Sequence, residues 1–175
     1  MWRRVRQFIN ALTAAVTPAD EAFVAASLAA GEAGFFWAMH LPDQRHALNV
    51  AYTARRLAAG RDDVDLGLLT RCALLHDVGK VKGDVSTFDK TMTVIAHRLV
   101  PGWAEGWGRL GRGGRLANLR HAFHIYFRHG ERGADMLAAA GVEAAVVDMV
   151  RRHHQPARAG DRPELTLLRQ ADEMN

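Results

Sequence analysis

Apolar residues recur along this chain at intervals of three and four, and no stretch alternates convincingly with period two. The pattern predicts helix after helix, an all-α fold. Trp2, Val5, Ile9, Leu12 and Val16 share one face of a predicted N-terminal helix whose flanks carry arginines. Thr17 and Pro18, followed by Asp20 and Glu21, read as an N-cap, an N1 proline and dipole-favourable acids, in a segment that Gly31 should stop. Pro42 opens the next helix and Gly60 closes it. Asp63 or Asp65 caps another through LGLLTRCALLH, and Ser86 caps one that ends before Pro101. Six glycines and three arginines between Pro101 and Arg115 predict a flexible Gly/Arg-rich loop over 101–115. Further helices are expected over 115–128, 130–140, 142–153 and 164–174, with breaks at Gly141 and from Pro156 to Pro163.

A length of 175 residues suits one domain spanning 1–175, with 1–40 as an N-terminal helical extension and 42–175 as the core. With 49% hydrophobic and 24% charged residues the chain is of ordinary globular composition, and no apolar run approaches the roughly 18 residues a membrane span needs. The first sixteen residues lack the continuous apolar stretch of a secretory signal; their amphipathic helix could pack on the core or touch a membrane surface or a partner. The single cysteine, Cys72, cannot form an internal disulfide and sits in an apolar run, which fits a buried thiol in a reducing, cytoplasmic setting. The formal charge of +4 is compatible with phosphate-bearing ligands and decides nothing alone.

The histidines change the picture. His76 and Asp77 are adjacent at the end of an apolar helix in LLHDVGK, where an imidazole and a carboxylate leave the core together. His46 lies upstream in QRHALNVAYTARRLA; His129 precedes GERGADML, His153 and His154 stand in VRRHHQ, and Asp172 stands in LLRQADEMN. Neutral imidazoles and carboxylates suit divalent transition ions, and two adjacent ions need about six or seven such groups, one of them a bridging carboxylate. His121 and His124, three apart on one helix, are expected in supporting or surface roles, and His40 and His97 in structural ones.

The order His, His-Asp, His, His-His, Asp from His46 to Asp172 resembles the HD superfamily of metal-dependent phosphohydrolases, in particular its HDIG and HD-GYP branch. The resemblance implies an HD-domain helical bundle with the metal site between helices. It implies one divalent ion held by His46, His76, Asp77 and Asp172, with Asp77 bridging to a second held by His129, His153 and His154. Lys80 would face the substrate phosphate or the nucleophile, with Arg152 or an arginine of 109–115 as a further phosphate contact. The divalent metals the resemblance implies are Mn, Fe, Ni, Co, Zn or Mg. A GYP-like string is lacking after His154, which puts cyclic dinucleotide hydrolysis in doubt, and Pro42, read as the position one turn before His46, offers no third ligand. The implied substrate is a phosphomonoester or phosphodiester: a phosphorylated small molecule, a nucleotide or an RNA end, with no stable DNA complex. Trp103 and Trp107 beside arginines would suit RNA stacking or would anchor a loop to the core. The alternative from another class is a non-catalytic metal- or nucleotide-binding sensor that keeps the fold.

Overall fold

The structure, a computed structural model, describes residues 15–175; the amphipathic pattern of the first residues lies outside them. The described residues form nine helices and no strand: α1 (Pro18–Ser27), α2 (Ala30–Trp37), α3 (Leu41–Leu57), α4 (Leu66–Leu75), α5 (Thr87–Leu99), α6 (Pro101–Trp107), α7 (Arg115–Ala139), α8 (Ala144–Arg152) and α9 (Pro163–Met174). None is long and apolar enough to cross a membrane.

Local chemistry accounts for the helix starts. Thr17 accepts from the backbone N–H of Asp20, whose carboxylate accepts in return from the backbone N–H of Thr17, a capping box ahead of Pro18. Asp20 is buried because it also accepts from Arg45 at 2.8 Å and from the Tyr52 hydroxyl at 2.7 Å, which ties α1 to α3. Of the two aspartates read as caps for α4, Asp65 takes the role, accepting from Leu68 N–H. Ser86 caps α5.

α4 is the centre of the core. Leu68, Leu69, Leu74 and Leu75 are all buried, each worth about 1.5–3 kcal/mol relative to exposure. α1, α2, α3, α8 and α9 pack around it. α7 packs against α5, α6 and α8, so the end of α4 reaches a junction between the two groups of helices. After α4 the chain turns, and an isolated antiparallel bridge between Met39 and Val81, with Lys82 N–H donating to Ala38 C=O, fastens this turn to the end of α2.

Three expectations need correction, all concerning glycine. Gly31 lies inside α2 and does not end α1, which stops at Ser27. The loop foreseen over 101–115 is helical from Pro101 to Trp107, because Pro101 supplies an N1 residue and Ala104 and the tryptophans pack on α7; only 108–114 is irregular. The helices expected over 115–128 and 130–140 are one, α7, because Gly130 and Gly133 serve as contact points with neighbouring backbone.

Candidate metal centre

Five helices deliver the chemistry to one place. His46 comes from α3, His76 is the C-cap of α4 with Asp77 immediately after it, His129 comes from the middle of α7, His153 is the C-cap of α8 with His154 following, and Asp172 comes from α9. They form two sets, His46–His76–Asp172 and Asp77–His129–His153–His154, within each of which one ligand atom per residue lies within 4.8 Å of the others. All seven residues expected to hold metal from the sequence are therefore together.

Asp77 stands between the sets. Its Oδ2 is 3.5 Å from His76 Nε2 and 4.0 Å from His46 Nε2, while its Oδ1 is 3.1 Å from His129 Nε2. Lys80 Nζ sits 2.7 Å from both carboxylate oxygens. On the far side of the first set, Asp172 Oδ1 is 2.9 Å from His46 Nε2 and 3.8 Å from His76 Nε2. In the second set His154 Nε2 is 3.0 Å from His129 Nε2.

Helix backbone aims three of the imidazoles. Nδ1 of His76, His129 and His153 lies 2.8, 2.7 and 2.6 Å from the carbonyl oxygen three residues earlier, of Ala73, Tyr126 and Val150. A carbonyl only accepts, so each Nδ1 carries the proton and each neutral ring turns its Nε2 lone pair away from its own helix. The Nε2 atoms of His76 and His153 are buried with no hydrogen-bond partner. An orphaned buried acceptor costs about 1–3 kcal/mol, and a divalent cation is the partner that two such lone pairs beside ionised carboxylates would satisfy. The donor set fits one.

Electrostatics hold both carboxylates and the three histidines of the second set in the ligating states; at His46 burial is outweighed by the hydrogen bond to Asp172 and the charges of Asp77 and Asp172, which raise the imidazole instead. Burial alone would raise the Asp77 carboxyl, but Lys80, His76 and His129 outweigh it and keep it well below the usual carboxylate range. Asp172 is likewise held low, His46 outweighing burial. Burial, followed by the charges of neighbouring histidines, pushes His153 down and brings His154 to about 4; burial and Lys80 lower His129. Carboxylates ionised and imidazoles neutral is the state a metal requires.

The approach of α7 to this turn depends on missing side chains. A Cβ on Gly79 would lie 2.1 Å from the His129 carbonyl oxygen and 3.0 Å from the backbone nitrogen of Gly133; one on Gly130 would lie 3.1 Å from His153 Cε1. The turn at Gly79 is expected from the sequence; the close-packing roles of Gly130 and Gly133 are not, although the spacing HGERG carried the signal: two glycines on one helical face beside a ligand.

A family model for the HD domain matches residues 44–174. The chain belongs to the HD domain family. No match was found among curated proteins or among solved structures. HD domains bind divalent metals and are in general metal-dependent phosphohydrolases, so the seven residues are the metal-binding candidates of this HD domain.

The other expected residues fall elsewhere. Arg152 donates to Asp148 and Asp161, and Asp161 is also held by Arg169 of α9, so both terminal nitrogens of the Arg152 guanidinium meet carboxylates. His121 accepts from Gly111 N–H and His124 lines a groove with Arg128; neither joins the metal sets. His97 meets the Tyr126 hydroxyl at 3.0 Å, and His40 accepts from Gly83 N–H. Trp103 and Trp107 stack on each other and meet Phe123 of α7 edge-on, anchoring α6. Asp43, three residues before His46, is a carboxylate the sequence reading overlooked in favour of Pro42. It is buried, and with Lys80, Thr93, Tyr126, Val81 and Ile125 it lines a mostly apolar chamber next to the centre.

Proposed function

We propose that this HD domain is a phosphohydrolase with a two-ion centre that cleaves a phosphomonoester or phosphodiester of a nucleotide or a nucleic-acid end. His46, His76 and Asp172 would hold one ion and His129, His153 and His154 the other, with Asp77 available to both. The observation that carries this reading is the Asp77 carboxylate, buried between the two ligand sets with one oxygen toward each. When bound, divalent ions supply Lewis acidity toward phosphoryl oxygen and water.

The chain's own residues do the rest. The carbonyls of Ala73, Tyr126 and Val150 fix three imidazole tautomers, so the ligands need no reorientation. Lys80 keeps a full positive charge: burial opposes it, but Asp77 and Asp43 outweigh burial and raise its pKa. Its ammonium lies where negative charge grows as phosphorus is attacked, and a fixed charge there is worth about 10²–10³ in rate. Ile125 and Val81 wall the small apolar chamber beside Lys80 and keep water from that side of the ammonium.

Elemental analysis of the protein beside Asp77→Ala tests the reading, together with hydrolysis of bis-p-nitrophenyl phosphate and a nucleotide panel in Mn²⁺. Two ions per chain, lost with turnover in Asp77→Ala, is the expected result. Lys80→Met should keep its metal and lose kcat. Metal retained with no turnover on any phosphoester would overturn the hydrolase reading in favour of the sensor, and no metal would overturn both.

A further inference from the structure

Helix α5 is packed with its apolar side outward. At 100° per residue, Phe88, Met92, Ile95 and Leu99 fall within a narrow arc of one face, and Thr93 and His97 lie on the other side. Yet Thr93 is fully buried and His97 reaches Tyr126 of α7, while Phe88 is 70% and Leu99 73% exposed. A helix that only completed a core would be turned the other way. The exposed face continues onto the segment after α6. Phe88 shares a depression with Leu116, which is 64% exposed, and Leu110, 67% exposed, stands on the glycine-rich stretch before α7.

Charge adjoins this face. Arg109, Arg112, Arg115 and Arg120 line one basin with Leu110 and Leu116, and no carboxylate lines it. Several arginines elsewhere are matched with acids: Arg45 with Asp20, Arg71 with Glu32 and Glu143, Arg132 with Asp84, Arg152 and Arg169 with Asp161. Asp89 lines the depression with Phe88, Leu116 and Arg115, and its carboxylate accepts from the Ser86 hydroxyl. A surface of exposed aliphatics and phenylalanine bordered by uncompensated arginines matches the boundary of an anionic bilayer, with acyl chains meeting the apolar residues and headgroup phosphates the guanidiniums. A second copy of the chain paired face to face would bring two arginine basins into one interface. Single-stranded nucleic acid would call for stacking rings lining the basin itself, where Leu110 and Leu116 stand instead.

We infer that the outward face of α5, with the Arg109–Arg120 basin, docks this protein onto anionic lipid membranes. The inference does not depend on the reaction proposed above. It is tested with the full chain by co-sedimentation with vesicles of phosphatidylcholine alone or mixed with phosphatidylglycerol, at low and high salt. Binding only to the mixed vesicles, weakened by salt, is expected. Each arginine reversed in Arg112→Glu/Arg115→Glu should weaken partitioning at least about fivefold. Ile95→Glu/Leu99→Glu should abolish it while circular dichroism stays that of the parent, both sites being on the surface. Absence of binding to either vesicle overturns the inference. So does a parent dimer that both double variants dissociate, which would make a second copy the occupant, or single-stranded RNA displacing the vesicles from the basin. Binding lost in Arg3→Glu/Arg4→Glu but kept in both surface variants would assign attachment to the first residues and equally overturn it.

Discussion

Replacing Gly79 by alanine tests the idea that the metal centre depends on backbone-to-backbone contact between the turn after α4 and α7. The added Cβ would stand 2.1 Å from the His129 carbonyl oxygen, 1.3 Å short of the 3.4 Å at which ordinary contact begins, and also near His129 C and Gly133 N. All three opposing atoms are main chain of a helix, so no side chain can swing aside and the turn itself must retreat. Overpacking costs about 1–3 kcal/mol, and an obstacle this rigid puts the expected loss near 3 kcal/mol. Retreat by about an ångström also carries Asp77 away from His129 Nε2, now 3.1 Å from Oδ1, when ligand distances tolerate only about 0.2 Å. Urea denaturation and metal stoichiometry after dialysis against a weak chelator measure the two effects. Gly34→Ala is the control: it lies in α2 with nothing within 4 Å of its Cβ and should stabilise by about 0.5–1 kcal/mol. A Gly79→Ala protein with parental midpoint and full metal content would refute the reasoning.

Gly130→Ala presses on His153 Cε1 at 3.1 Å, a ring that can tilt, so metal affinity should fall while the urea midpoint moves less than in Gly79→Ala. Asp20→Ala removes the carboxylate half of the α1 capping box and leaves Arg45 without its acid partner, for an expected loss of about 3 kcal/mol by chemical denaturation. Because Arg45 above all holds the Asp20 carboxyl well below its ordinary value, this stabilisation is complete at neutral pH and fades as pH falls below about 4; the difference between parent and variant should shrink there. Burial pushes the Cys72 thiol far above its usual range, so thiol reagents at pH 8 should label it only after denaturation; labelling of the native protein at the free-thiol rate would contradict that placement.

The ligands were readable in the sequence because each is a polar residue at or near a helix end or on a helix face beside apolar neighbours. His76-Asp77 follows LGLLTRCALL, and His153-His154 follows AAVVDMVRR. The caps Thr17, Asp65 and Ser86 were readable for the same reason, since their oxygens bond backbone only a few residues away. What was not readable depends on partners distant in sequence. Gly130 and Gly133 look like breakers in a one-dimensional pattern, and only the arrival of Gly79 and His153 turns them into close-packing positions. The pairing of Arg152 with Asp161, and the exposure of the apolar face of α5, likewise follow from which helices become neighbours, and periodicity does not report that.

The metal centre spans the fold. His46 and Asp172 are 126 residues apart in the chain and in contact, and the other ligands come from three further helices. Fraying of any one of these five helices therefore strips a ligand, and no fragment shorter than 46–172 carries a complete set. Metal held here makes breathing of the separate helices a single cooperative event, so the slow rate at which a strong chelator withdraws it becomes a clock for the opening of the whole domain, readable beside hydrogen exchange of the α4 amides.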